Sequence, residues 1–141
     1  MTRIQQSQHA HDPATTLNGW WIARVAWLGG VHLPSDVLPA LGIVLFKRTF
    51  YLGNDIGTFD VDRTLMPATI DVLITRGPNR WRFIPGIFQQ HNRVLRLCLE
   101  LSGVSRPPDF RSPSGSRLLL VTYERAPARE PPRVDFLAAT R

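Results

Sequence analysis

The segment from Leu17 to Leu28, LNGWWIARVAWL, decides the fold prediction for this chain. Apolar residues alternate along it, and Gly29-Gly30 ends the run. A period of two is typical of a half-buried β-strand, because successive side chains point to opposite faces of a sheet. We therefore expect a first strand that begins with an aromatic pair. One face of this strand carries Trp21, Ala23, Val25 and Trp27.

Length and composition indicate an ordinary globular domain. The chain has 141 residues, of which 43% are hydrophobic and 20% charged, enough to bury a substantial core. It has no apolar run of about 18 residues, so no membrane-spanning helix is predicted. The polar N-terminus lacks the apolar region of a secretory signal, and Cys98 is the single cysteine. These features favour a cytoplasmic location, where thiols stay reduced.

The positive charge is spread along the chain rather than gathered in a motif. The formal net charge is +6, and Lys47 is the single lysine among seventeen basic residues. Arg76, Arg80 and Arg82 lie close together around a predicted turn, without a basic helix or an aromatic RNA-binding motif. We expect neither a nucleic-acid partner nor a membrane partner, and a homodimer is left open.

Three regions differ in composition. Residues 1–16 are predicted to be a disordered lead, residues 17–125 a β-domain, and residues 126–141 a proline-rich tail. In the tail, an apolar cluster at Val134, Phe136 and Leu137 could contact the domain or a partner. The β-domain holds short apolar runs between turn signals, at 20–28, 42–52 (with a turn at Lys47-Arg48), 56–61, 69–75, 81–88, 94–101 and 117–125. With one short helix at 33–41, this spacing predicts an all-β antiparallel barrel or sandwich.

The order of several short motifs also resembles a known family. The matching stretches are Gly19-Trp20-Trp21, 57–62, Pro67, Ile70-Asp71, 85–88, 95–98, 106–110 and 118–125. Together they are similar to a small lipocalin-like conserved hypothetical domain that is abundant in planctomycetes and also found in actinobacteria. The turns at Lys47-Arg48 and His91-Asn92-Arg93 depart from that family's glycine-containing pattern.

The resemblance implies a lipocalin-like, up-and-down barrel of about eight strands. It also implies a seal at one end of the barrel, in which Arg125 from the last strand covers the ring of Trp21, next to Gly19. A cation over an aromatic face is an attractive pairing. The family has no assigned catalytic residues, so the resemblance implies no catalytic role for any residue here.

Aromatic residues are the main candidates for a binding site. They could line one cavity inside the barrel, with the phenol of Tyr123 as a polar anchor, or simply fill the core. Arg48 is a second candidate anchor if its strand continues unbroken, whereas a hairpin turn at Lys47-Arg48 would expose it. The predicted ligand-binding residues are Trp27, Phe46, Arg48, Trp81, Phe83 and Tyr123.

Other reactive residues have simpler interpretations. Asp60, Asp62 and Asp71 could form an acid–base pair or lie on the solvent face of the sheet. Cys98, between Arg96 and Glu100 on one face, could be a nucleophile or a buried structural thiol. The histidines, including His9 and His11, do not cluster with other ligands, so we expect no metal site and no cofactor.

The sequence is compatible with three functions. The favoured hypothesis is a barrel that binds a small, largely apolar molecule in its lumen. The second is an enzyme of secondary metabolism, a cyclase or isomerase, that holds a substrate in a reactive conformation. The third is a solid barrel that acts as an interaction module.

Overall fold

The computed structural model of the chain describes residues 17–127. The predicted lead at 1–16, with His9 and His11, lies outside the described residues. So does the predicted apolar cluster of the tail, which begins at Val134. The predictions for these two regions stay predictions.

Nine antiparallel strands lie within residues 17–127. They are β1 (Gly19–Leu28), β2 (Val31–His32), β3 (Ile43–Phe46), β4 (Thr49–Leu52), β5 (Asp55–Asp62), β6 (Ala68–Arg76), β7 (Phe83–His91), β8 (Val94–Glu100) and β9 (Leu118–Arg125). Each strand from β3 to β8 pairs with the next, and β1 pairs with both β3 and β9. Eight strands therefore close a barrel, which confirms the predicted all-β fold, while β2 only extends the sheet beside the end of β1.

A 3-10 helix at Ser35–Leu41 lies between β2 and β3. It begins after Pro34 and contains Pro39. Prolines at these positions set backbone angles suited to a short turn but deny the chain two hydrogen-bond donors. No helix within residues 17–127 is long and apolar enough to cross a membrane.

Two tight turns form without glycine. Phe46 pairs with Thr49, so Lys47 and Arg48 make the predicted two-residue turn between β3 and β4. Lys47 has a φ of 59° and Asn92, in the β7–β8 turn, a φ of 56°. Such left-handed angles suit the right-handed twist of a hairpin, and asparagine adopts them more readily than most residues.

A β-bulge divides β1 into two parts with opposite orientation. The pairing with β9 shifts by one residue between Ala23 and Val25. Trp21 and Ala23 point inward before the bulge, but Ala26 takes the inward position after it. Because side chains alternate, one extra residue reverses every later position. The predicted inner face that included Val25 and Trp27 is therefore wrong beyond Ala23.

Large apolar side chains occupy the interior of the barrel. The inward positions of every long strand belong to one buried cluster, which includes Trp21, Phe50, Phe59, Ile70, Val72, Phe88, Leu97, Val121 and Tyr123. Packing around Gly86 is tight, since a Cβ added there would lie 2.6 Å from Leu99 Cδ2. A barrel of about eight strands is just wide enough for side chains to fill, and this one follows that pattern.

Candidate functional site

The contact between Arg125 and the Trp21 ring that the family resemblance implies is present in the structure. The guanidinium carbon of Arg125 lies 4.2 Å from the centre of the Trp21 ring, and Trp21 itself is fully buried. Trp21 Nε1 donates a 2.9 Å hydrogen bond to the carbonyl of Leu17, while Arg125 donates to the carbonyl of Asn18. Gly19 has a φ of +144°, and a Cβ there would lie 2.7 Å from Arg125 Nη1. A side chain at position 19 would thus displace the guanidinium from the ring.

Burial changes the acidity of two groups that point into the barrel. Tyr123 is 2% exposed, and desolvation raises the pKa of its phenol above the ordinary value. Its hydroxyl donates a 2.8 Å hydrogen bond to the carbonyl of Leu41, next to the end of the 3-10 helix. Burial, together with the nearby Arg93, lowers the pKa of Arg125. Tyr123 therefore fastens the 3-10 helix to the barrel instead of presenting a free hydroxyl.

Most of the other predicted ligand-binding residues lie on the outside of the barrel. Phe46 is 54% exposed, Trp81 is 69% exposed and Phe83 is 46% exposed. Arg48, in the β3–β4 turn, forms an exposed ion pair with Asp60, with Nη1 and Oδ1 separated by 2.8 Å. The prediction that these residues share one cavity with Tyr123 is wrong, because each falls on the outward side of its strand or in a loop.

Trp27 also faces outward, but it lies at the edge of a cleft. The β1 bulge places its side chain on the outer face, where it is 38% exposed. Its ring contacts the imidazole of His32 on β2, with centroids 4.9 Å apart and planes tilted by 54°. Leu120 of β9 is the residue opposite Trp27 in the sheet. The two side chains form an apolar floor on the outer surface.

The loop between β8 and β9, residues 101–117, covers part of the barrel's outer surface. Pro85, Ile87 and Cys98 occupy outward positions of β7 and β8 and are nevertheless buried. Pro107 of the loop is buried with them, and Cys98 Sγ lies 3.6 Å from the carbonyl oxygen of Arg111. The outer face of β7 and β8 thus forms a second, smaller apolar layer beneath the loop.

Polar contacts fix this loop at several points. Arg106 Nη1 lies 2.8 Å from Asp71 Oδ1 and 3.0 Å from the carbonyl of Gly86. The guanidinium of Arg96 lies 4.5 Å from the centre of the Phe110 ring. Ser112 Oγ donates to the carbonyl of Leu118 (2.8 Å) and accepts from the amide of Gly30 (3.1 Å). We infer that the loop is a fixed wall of the domain, since its contacts spread over four strands and the β1–β2 turn.

An open cleft lies between this wall and the floor formed by Trp27 and Leu120. It has a volume of about 440 Å³, and Arg111, Ser112 and Pro113 line its other side. The hydroxyl of Ser112 has two partners within residues 17–127, and Arg111 forms an exposed ion pair with Asp109, with Nε and Oδ2 separated by 3.2 Å. The cleft therefore combines an apolar surface with one cation at its edge.

Of the five residues that line this cleft, Trp27 is the one that the sequence predicted as a ligand-binding residue, and it was expected on the inner face of the barrel. Arg111 was not predicted as a site residue, and the stretch that begins at Ser112 was interpreted as a plain turn, because no strand pattern or catalytic motif surrounds them. The length of the β8–β9 connection was the available signal, because loops longer than about 12–15 residues are uncommon in compact domains and often functional.

The remaining reactive side chains occupy structural positions. Asp60 and Asp62 are exposed on the outer face, as the solvent-face interpretation predicts, and Asp71 is paired with Arg106. Hydrogen bonds from Thr64 lower the pKa of Asp62. Burial raises the pKa of the Cys98 thiol to about 11, so the thiolate needed for nucleophilic attack is scarce at neutral pH.

Comparison with known proteins gives no match to a family model, a curated protein or a solved structure. The resemblance to the lipocalin-like family therefore rests on the motifs and the barrel, and it stays a prediction.

Proposed function

We propose that the protein binds a small, largely apolar molecule bearing a negative charge, in the outer cleft between Trp27 and the β8–β9 loop. The observation that carries this proposal is the cleft itself, an apolar floor with Arg111 at its edge. Its volume of about 440 Å³ lies within the range of small-molecule sites, roughly 300–1,000 Å³. Trp27 offers a flat face for an aromatic or aliphatic ring, and Arg111 offers a partner for a carboxylate or sulfonate.

The lumen remains a separate location for the same activity, as the sequence suggested. It is the less favoured one, because core side chains occupy the interior and the Tyr123 hydroxyl is bound to Leu41. A ligand there would have to displace packed side chains, which is costly in an interior of crystal-like density. The outer cleft needs no such displacement.

The enzyme hypothesis, a cyclase or isomerase, receives no comparable support. Within residues 17–127 the histidine beside the cleft is His32, and its ring is in tilted contact with the Trp27 ring. Binding is therefore the activity to test first.

The test uses two fluorescent probes that differ in charge. These are 1-anilinonaphthalene-8-sulfonate and its uncharged analogue N-phenyl-1-naphthylamine. We expect Trp27→Ala to weaken binding of both by about tenfold, because it removes apolar contact. Arg111→Gln should weaken only the sulfonate probe, by about fivefold, since it removes a charge-assisted contact and little apolar area.

Two controls separate the cleft from other sites. Phe46→Ala removes an exposed aromatic outside the cleft and should leave both affinities unchanged. Near-ultraviolet circular dichroism checks that each variant keeps its tertiary packing, because the sulfonate probe also binds loosened states. Unchanged affinities in both cleft variants would contradict the outer site and direct the search to the lumen.

A further inference from the structure

Three large apolar side chains are exposed together beside the loop that joins β6 and β7. Leu73 on β6 and Phe83 on β7 are directly opposite in the sheet and share its outer face. Trp81 lies two residues before Phe83. Their exposed fractions are 38% for Leu73, 69% for Trp81 and 46% for Phe83. With Arg76, Arg80 and Arg82 around them, we call this surface the Trp81 patch.

The loop holds Trp81 outward in a defined conformation. The carboxylate of Asp55, at the start of β5, accepts hydrogen bonds from the amide and the side chain of Asn79, at 3.0 and 2.7 Å. The amide of Trp81 donates to the carbonyl of Ile74 at 2.6 Å. Trp81 has a φ of +73°, a conformation that is strained for a bulky residue. The fold thus fixes a tryptophan in a position that neither burial nor backbone preference explains.

The charge around these apolar side chains is mainly positive. Three arginines fall within seven positions of the chain, at 76, 80 and 82. Asp55 is the acidic side chain at the base of the loop, and both of its oxygens bind Asn79. Glu100, at the end of β8, accepts hydrogen bonds from Ser102 and Val104. Asp55 and Glu100 therefore have partners within the domain, and Arg76, Arg80 and Arg82 are exposed beside the apolar side chains.

We propose that the Trp81 patch docks the protein on the surface of an anionic lipid bilayer. Tryptophan is favoured at membrane interfaces, where its ring contacts the acyl chains while its N–H stays near the head groups. Arginines beside an apolar surface attract anionic head groups. Leu73 favours a bilayer over a single-stranded nucleic acid, since an aliphatic side chain gains from entering the acyl region but cannot stack on a base.

This proposal concerns peripheral binding and is independent of the proposed ligand cleft. The sequence-based expectation of no membrane partner rested on the absence of a spanning segment, which a docking surface does not need. A surface of this kind would bring the domain to a membrane without inserting any strand.

The test is flotation of the full chain with phosphatidylcholine vesicles, with and without phosphatidylserine. We expect binding only to vesicles that contain phosphatidylserine, and weaker binding as salt increases. Trp81→Gly removes the side chain while suiting the positive φ, so folding is preserved, and it should weaken binding by about tenfold. The Arg80→Gln and Arg82→Gln changes should each weaken binding about fivefold.

The hairpin between β3 and β4, three strands away from Leu73 along the sheet, provides matched controls. Lys47 Nζ lies 5.3 Å from the centre of the exposed Phe46 ring, so this pair has the same chemistry at another place. Phe46→Ala and Lys47→Gln should leave vesicle binding unchanged. Three results would overturn the proposal: no flotation, equal losses in patch and control variants, or binding of a single-stranded oligonucleotide in place of vesicles.

Discussion

The interior around Trp21 and the outer cleft around Trp27 lie on one strand, and they differ in almost every physical respect. Trp21 is fully buried, its N–H is paired and its face is covered by Arg125. Trp27 lies beyond the bulge, is 38% exposed and borders a cleft. Six positions separate the two residues, and one inserted residue between them determines which is structural and which is available to a ligand.

The largest expected effect comes from truncating the buried member of this pair. Trp21→Ala should lower the free energy of unfolding by about 3–5 kcal/mol, because it leaves a cavity and removes a cation–aromatic contact. Trp27→Ala should cost about 1 kcal/mol or less, since its ring is partly in solvent already. Urea unfolding of the two variants measures the difference directly. Equal losses would mean that the outer surface around Trp27 is a second core rather than a binding surface.

Trp21 and Trp27 also show how much of the fold could be predicted from the sequence. Alternation and turn residues were enough to predict the strands, the turn at Lys47-Arg48 and an antiparallel barrel or sandwich, because these depend on local patterns. The choice of an up-and-down barrel came from the family resemblance. The bulge depends on pairing with β9, about a hundred residues away, and the residue types at 23–25 do not predict it. The inward face of β1 was therefore predicted correctly up to Ala23 and wrongly after it.

The candidate site was less predictable than the fold, because a loop builds half of it. Arg111 and Pro113 reach the cleft because contacts such as Arg106–Asp71 and Ser112–Leu118 fasten the β8–β9 loop to other strands. Those contacts are long-range and carry no periodic signal. Similarly, β7 begins at Phe83 rather than at Trp81, because Trp81 belongs to the strained loop before the strand.

An intermediate effect is expected from releasing this loop. Arg106→Ala should lower the free energy of unfolding by about 1–2 kcal/mol, because it removes the ion-pair partner of Asp71 Oδ1, a buried oxygen that accepts no hydrogen bond within residues 17–127. It should also expose Cys98, the single cysteine, and raise its rate of reaction with a thiol reagent at least about tenfold. A stability loss without faster labelling would mean that the loop does not cover the thiol.

The raised pKa of the Cys98 thiol predicts how the stability of the wild-type chain changes with pH. The pKa of the folded thiol, about 11, exceeds the reference value of 9.0. The folded state therefore retains a proton that the unfolded state loses, and stability should fall as the pH rises from 9 to 11. Cys98→Ala supplies the control, since this thiol-dependent part of the decline should vanish. A decline of the same size in that variant would assign it to other groups, such as Tyr123.

The smallest effect is expected at Arg48, the residue that the sequence offered as a buried anchor. Its ion pair with Asp60 is exposed, with 56% and 75% of the two side chains accessible. Such pairs contribute little, because water screens the charges and both side chains lose freedom. Arg48→Ala should change the free energy of unfolding by about 0.5 kcal/mol or less, and a double-mutant cycle with Asp60→Ala should give a coupling of similar size. A loss of several kcal/mol would instead indicate a buried, paired guanidinium. Arg48 would then lie in the interior of the barrel, as Trp21 does, and not on its surface, as Trp27 does.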